Sequence, residues 1–489
     1  RIIAEGTEQD SILFTRLQDD NDYFWGTIYI TDYAEKSIFK NCKIEYSCGI
    51  GIYVGLIAWG AIYYMNKEIE IEECLFINNV RGAIGPNVQW YEYVSILNST
   101  FSSDENMSVF ASSLYGEHIH INSTLTGYPP ALVAGNIFEE DYRILFSKCY
   151  FIYNKIINNP SNALNVGSQG KVMYLYNNEF INFDTGIFNS GNSEDSLYIK
   201  NNRFIGGDEA IDIDDAYVEI SDNYFEGCDL YTGSNCYGKA YNNYTASGRI
   251  RTPGYLQVFN NISLNSNSTG LIVSSMSYFC LSNIIIDNLY AIGSSGSPTY
   301  NNCIIIFNEE LTDHIINGNP IFRNCIIDFE LEYPLIDGGG NIWVDSLQAQ
   351  TLFEDIENGD FHLIEGSLAI DAGFDTLGYY YPFDMDYNHR VWDGDNNGTA
   401  IIDIGPYEYN SPAFGGIEGS TYNPSTGEPV DYVLLKIDNQ PGEFTFSDSI
   451  GNFQYKLPAG IYDIYCERMY YDDAILYEVE VDDGQFTQI

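Results

Sequence analysis

The sequence predicts an all-β chain, a parallel β-helix followed by a smaller β-sandwich. Three observations predict it. A short phrase recurs, mostly every 20 to 26 residues; the strand-forming runs are too short to bury a core alone; and capped helical periodicity is almost absent.

The phrase has an apolar or aromatic residue, two polar ones, a marker at the fourth place, a variable residue and a second apolar one. Phe39-Lys-Asn-Cys-Lys-Ile44, Ile71-Glu-Glu-Cys-Leu-Phe76, Leu175-Tyr-Asn-Asn-Glu-Phe180, Ile199-Lys-Asn-Asn-Arg-Phe204 and Ile220-Ser-Asp-Asn-Tyr-Phe225 are examples. The markers read as Cys42, Cys74, Ser99, Ser123, Cys149, Asn178, Asn202, Asn223, Asn243, Asn261, Asn283, Cys303 and Cys325. That spacing is the period of a solenoid coil, in which each coil buries its apolar residues only by stacking on the next. Stacked Asn or Cys side chains then satisfy one another along a ladder.

Residues 1–412 are expected to form about thirteen such coils and a closing segment. After Asn410-Ser-Pro412 the phrase stops, and residues 413–489 change to alternating strands separated by Gly, Pro and Asp turns, the pattern of a small β-sandwich.

The chain carries 21 basic and 69 acidic residues, a net charge of −48, which excludes nucleic acid or an anionic membrane surface as partner. Its apolar stretches are Gly-broken and shorter than the roughly 20 residues of a membrane helix, so no membrane span is expected. With hydrophobic residues at 45%, the chain is too apolar for a disordered acidic polymer. The ten Cys lack zinc-site spacing; Cys228 and Cys236, in a polar loop, are the best disulfide candidates.

Residues 1 to about 410 resemble the right-handed parallel β-helix regions of large secreted bacterial surface proteins, similar in fold to pectate lyases. The residues that carry this are Ile2-Ile-Ala-Glu-Gly-Thr-Glu-Gln-Asp-Ser-Ile-Leu-Phe14 with Trp25-Gly26, and the closing Ala369-Ile-Asp-Ala-Gly373, Asp384-Met-Asp386, His389-Arg390 and Asp403-Ile-Gly-Pro-Tyr-Glu-Tyr409. Asp448-x-x-Gly-x-Phe453 and Leu457-Pro-Ala-Gly-Ile-Tyr462 resemble the carboxypeptidase regulatory-like (transthyretin-like) domain, which in that family is a spacer or assembly module without an active site. These resemblances imply an extracellular or cell-surface bacterial protein.

Two acidic clusters are candidate sites. In Asp393-Gly-Asp-Asn-Asn-Gly398, oxygen ligands at alternating positions and a turning Gly suit calcium, with Asp393, Asp395, Asn397 and Asp403 as ligands and Asp384 and Asp386 as possible additions. In Gly206-Gly-Asp-Glu-Ala-Ile-Asp-Ile-Asp-Asp215, alternation puts Asp212 and Asp214 on one strand face, with Asp208 and Asp215 at turns. Such carboxylates serve as acid and base in glycoside hydrolysis or hold calcium for a lyase, whose base would be Lys200 or Arg203. The segment resembles the Gly-Asp-Asp stretch of polygalacturonases, but lacks the Gly-His-Gly and Arg-Ile-Lys motifs that follow it there. Asn98, Asn106, Asn122, Asn243, Asn261, Asn267 and Asn397 head Asn-x-Ser/Thr sequons, candidates for glycosylation.

The expected function is non-catalytic: an adhesin, or a subunit of an extracellular fibre joined head to tail through uncapped strand edges. The alternatives are a polysaccharide lyase or glycoside hydrolase using the 208–215 cluster, and a glycan-binding module.

Overall fold

A computed structural model describes residues 1–489 apart from 18–24, 32, 35, 48–50, 54–55, 59–60, 65–67, 80–82, 87–92, 103–118, 122–130, 140–143, 147–148, 167–171, 190–193, 265–268, 275–279, 287–289, 308–318, 332–334 and 375–380. The chain is all-β and forms a parallel β-solenoid, as expected. It divides into two compact units, Arg1–Tyr217 and Val218–Ile489.

In the first unit, Ile3–Glu5, Ser37–Lys40, Glu68–Glu72, Tyr93–Leu97, Ala131–Ala134, Cys149–Ile152, Val172–Tyr176 and Ser196–Lys200 are successive parallel neighbours of one sheet. Each is followed by a strand of a second sheet, as Glu179–Asn189 follows Val172–Tyr176 and pairs with Arg203–Ile205 one rung on. Inward residues stack from rung to rung. Phe76 lies 4.7 Å from Phe101, and Phe101 5.0 Å from Phe138, in parallel ring planes.

The corner between the two sheets explains the phrase. The residue before the marker has positive φ at rung after rung: Asn41, Glu73, Asn98, Tyr153, Asn177 and Asn201 in the first unit, Asp222, Asn242, Asn260, Ser282, Asn302 and Asn324 in the second. Asn and Asp tolerate this left-handed conformation better than other non-glycine residues, hence the recurrent Asn at the third place. The marker then turns inward and is buried. Asn178 donates from Nδ2 to Phe151 O at 2.8 Å and to Asn202 Oδ1 at 2.9 Å, while its own Oδ1 accepts from the N–H and Nδ2 of Asn154. Two markers differ from the sequence reading. Asn154, not Cys149, holds the place, because the phrase there is Phe151-Ile-Tyr-Asn-Lys-Ile156 and Cys149 begins the preceding strand. Asn136 precedes it in the ladder, and Ser123 lies outside the described residues.

In the second unit, Tyr237–Tyr241, Tyr255–Phe259, Cys280–Leu281, Thr299–Asn301, Ile321–Arg323 and Ile336–Asp337 form one parallel ladder. Here one outward face is apolar too. Ile262, Ile284, Ile304 and Ile326 are fully buried under Val344, Leu352, Phe353, Phe361, Leu363 and Ile404 of the closing segment. That segment includes the helix Ser346–Gln350, capped by Asp345 and Gln348.

Beyond residue 413 the pairing is mainly antiparallel. Gly415–Ser420 lies between Asn452–Leu457 and Phe486–Gln488, and a four-stranded sheet orders Phe444–Phe446, Leu434–Ile437, Gly460–Glu467 and Ala474–Val481. Ile417, Phe453 and Leu457 of the first sheet share a core with Leu435, Ile464 and Val479 of the second. Asp448 Oδ1 accepts from the N–H groups of Ile450 and Asn452 at 2.9 Å, and Gly451 takes φ 85°, so the Asp-x-x-Gly-x-Phe signature is a turn that sets Phe453 into this core.

Candidate functional site

The acidic face of the first unit is built on the strand Glu209–Ile213. Gly206 enters with φ +64°, and a side chain at Gly207 would strike the ring of Phe183. Ile211 and Ile213 point inward and are fully buried, which turns Asp212 and, past the strand end, Asp214 outward. Asp212 is partly buried and sits opposite Phe188 of the neighbouring rung; Asp214 is exposed, its N–H donating to Asn189 O at 3.2 Å. Burial, and then the charge of Asp214, raise the Asp212 carboxyl above its ordinary range. Asp208, exposed, donates its N–H to Asp184 O at 3.1 Å, and Asp215 turns the chain with φ 51°. The pair read from alternation is therefore present, with the two flanking carboxylates at the strand's ends.

The two basic candidates do not join it. Arg203 places Nη1 3.1 Å from Glu179 Oε1, and Lys155 holds the other oxygen of that carboxylate at 2.7 Å. Lys200 is buried in the other sheet, in register with Tyr176.

In the second unit, carboxylate oxygens of Asp371, Asp393 and Asp395 lie within 4.8 Å of one another. The loop is shaped by its own N–H groups. Asn397 N–H donates to Asp393 Oδ1 and Asp395 Oδ1 at 2.9 Å each, and Gly398 N–H to Asp393 Oδ2 at 3.0 Å. Asn397 Oδ1 accepts from Thr399 N–H at 2.9 Å. Asp403 is engaged elsewhere: buried, it accepts from the N–H groups of Asp371 and Tyr409 at 2.7 Å each, and burial raises it to about 7. Asp371 was missed from sequence, although Ala369-Ile-Asp-Ala-Gly373 was singled out; no local spacing ties it to a loop 22 residues on.

Asp384 and Asp386 serve the closing segment. Asp384 is buried and accepts from the N–H groups of Asp386, Asn388 and Glu408. Asp386 faces His362, whose Nε2 lies 2.6 Å from Asp386 Oδ2 and whose Nδ1 lies 2.6 Å from Asp360 Oδ1, with the Tyr407 ring 4.3 Å away. Arg390 is buried, ion-paired with Glu408 at 3.3 Å and donating to Ser282 Oγ at 2.6 Å and to Gly405 O. Spacing in sequence carried no signal for either arrangement.

Of the sequons, Asn243 and Asn261 are buried ladder markers, closed to a glycan. Asn98 and Asn397 are exposed, and Asn106, Asn122 and Asn267 lie outside the described residues. Cys228 and Cys236, the best disulfide candidates by sequence, are not bonded to each other; both pack in the interior at 2% exposure or less.

No family model matches the chain, and no curated protein does. Among solved structures, the chain is similar to the catalytic domain of a GH87 alpha-1,3-glucanase variant in complex with tetrasaccharides. The identity is 11%, the match covers 68% of this chain and 71% of that one, and the TM-score is 0.28. The neighbour is a carbohydrate-active enzyme, and the expected non-catalytic role as adhesin or fibre subunit is corrected on that finding.

Proposed function

We propose that the chain acts on glycans as a glycoside hydrolase, with Asp212 and Asp214 as its working carboxylates. The observation that carries this is the pair itself: two carboxylates on one outward face in unlike surroundings, Asp212 partly buried opposite Phe188 and Asp214 exposed. Unequal environments separate a proton donor from an ionised partner. Along extended backbone, Cα atoms two residues apart stand roughly 6.6 Å apart, a spacing from which two outward carboxylates can flank a sugar as a hydrolase's acid and base do. A lyase is disfavoured because Arg203 is spent on Glu179. The charge of −48 favours a neutral polysaccharide.

The C-terminal sheets belong to this reading as a regulatory-like β-sandwich without a catalytic group, and an extracellular setting, where polymeric glycans are met, goes with it. We also infer that Asp371, Asp393 and Asp395 hold a calcium ion, since hard oxygen donors converge there.

The test is release of reducing ends from a panel of neutral glucans by the whole chain, compared with Asp212→Asn and Asp214→Asn. Loss of about 10²–10⁴ in rate in both variants supports the assignment. Unchanged binding to a glucan with no turnover by the parent chain would turn the reading to a glycan-binding module.

A further inference from the structure

Two pairs of cysteines occupy the marker position on consecutive rungs, one pair in each unit. Lys40 pairs with Glu72 and Lys43 with Leu75, which sets Cys42 opposite Cys74. Asn301 pairs with Arg323 and Ile304 with Ile326, which sets Cys303 opposite Cys325. Within each pair the two side chains stand at the same inward place on neighbouring rungs, and all four are 2% exposed or less. Adjacent parallel strands lie about 4.8 Å apart, inside the range of about 4.4–6.8 Å between Cα atoms that a disulfide spans.

The chemistry of the ladder changes where these pairs stand. An Asn marker both donates and accepts, so each Asn–Asn step is closed in both directions. Cysteine reproduces only the donating half. Cys74 Sγ donates to Phe39 O at 3.4 Å and Glu72 O at 3.3 Å, and Cys325 Sγ to Tyr300 O at 3.5 Å and Arg323 O at 3.4 Å, as Asn202 Nδ2 donates to Leu175 O and Lys200 O. At Cys42 and Cys303 the next rung's marker offers the backbone a sulfur, a weak acceptor, where an amide oxygen would stand. A covalent bond between the rungs is the tie this position can make instead.

We propose that Cys42–Cys74 and Cys303–Cys325 close as cross-rung disulfides when the chain folds in an oxidising compartment. Each forms by exchange with a small-molecule or protein disulfide. One thiolate of the pair attacks that disulfide, forming a mixed disulfide and releasing one thiol; the second thiolate attacks the protein sulfur of the mixed disulfide and releases the other. The pair loses two protons and two electrons, and the electrons reduce the donor. Exchange precedes final packing, because the finished rungs leave all four sulfurs 2% exposed or less, out of reach of an external disulfide. Cys280 also contacts Cys303, but lies opposite Tyr300 in the ladder and so out of register with it.

The test is to refold the whole chain from denaturant in a mixture of oxidised and reduced glutathione, alkylate, and map peptides by mass spectrometry. The expected result is two cross-linked peptides, 42 with 74 and 303 with 325, each lighter by two hydrogens and released by reductant. Cys74→Ser and Cys325→Ser each remove one link and leave the other, which shows that the variant still folds. Alkylation of all four thiols after oxidising refolding, or a link joining Cys280 to Cys303 in place of Cys325, overturns the proposal. Neither result depends on glycan cleavage.

Discussion

His362 Nε2 lies 2.6 Å from Asp386 Oδ2, while Nδ1 of the same ring meets Asp360 at the same distance. A neutral imidazole has one N–H, so only the imidazolium donates to both carboxylates. The hydrogen bond with Asp386 raises His362 to about 9, with Asp360 adding to it against the cost of burial. A raised base stabilises the fold fully below its unfolded value of 6.5, and that contribution is lost as pH rises through about 9. Because the side chain is 49% exposed, screening holds it to about 1 kcal/mol or less. Urea midpoints measured across this window fall in the parent and stay flatter in His362→Gln; equal slopes would sink the clamp.

Arg390 is the buried cation among Asp384, Asp403 and Glu408, so its removal strands carboxylates in the interior. Arg390→Met is expected to cost about 3–5 kcal/mol in denaturant unfolding at neutral pH, far more than a surface arginine. The same network has an acid-side signature. Burial raises Asp403 from 3.8 to about 7, and a raised carboxyl withdraws stability as pH climbs between those values. Asp403→Asn flattens that part of the stability curve; a variant that retains the full slope places the titration elsewhere.

Asn178 closes two steps of the marker ladder with four hydrogen bonds. Asn178→Ala takes the acceptor from the buried Asn154 N–H and one donor from the Phe151 carbonyl, at a cost of about 1–3 kcal/mol for the stranded N–H. Asn177→Ala, one residue earlier and at φ 55°, loses left-handed tolerance, about 1 kcal/mol, and an exposed hydrogen bond that its Oδ1 accepts from Asn201. Thermal melts of the two variants should therefore separate clearly, Asn178→Ala lower.

The solenoid was legible because the corner imposes the same two demands rung after rung: positive φ before the marker and a small inward polar or thiol side chain at it. Both leave a residue type at a fixed place, as in Asn177-Asn178 and Asn201-Asn202. The acidic face was legible for the same reason, since strand alternation is local and turns Asp212 and Asp214 outward together. What joins distant segments left no such trace. Asp371 reaches Asp393, Asp360 reaches Asp386 across His362, and Arg390 reaches Ser282 only through folding of the closing segment onto outward isoleucines, which read in sequence as interior residues. Asn397 and Asp403 were chosen by spacing along the loop, whereas the fold spends one on its turn and buries the other.

The carboxylate triad makes a prediction about metal removal. Asp371 is raised by burial and then by contact with Asp395, so without a cation the group is held together against its own charge. On the proposed assignment, a calcium ion bound there would relieve that repulsion and, binding the folded loop alone, stabilise it by about 2.7 kcal/mol at a concentration a hundredfold above the dissociation constant. Addition of a calcium chelator to the whole chain should lower the unfolding midpoint, and calcium but not magnesium at equal concentration should restore it, since convergent carboxylates without fixed octahedral geometry suit the larger ion. Asp371→Asn should abolish the response while Asp403→Asn retains it, because Asp403 faces backbone N–H groups rather than the loop. An Asp371→Asn chain that still responds to calcium would remove Asp371 from the ligand set.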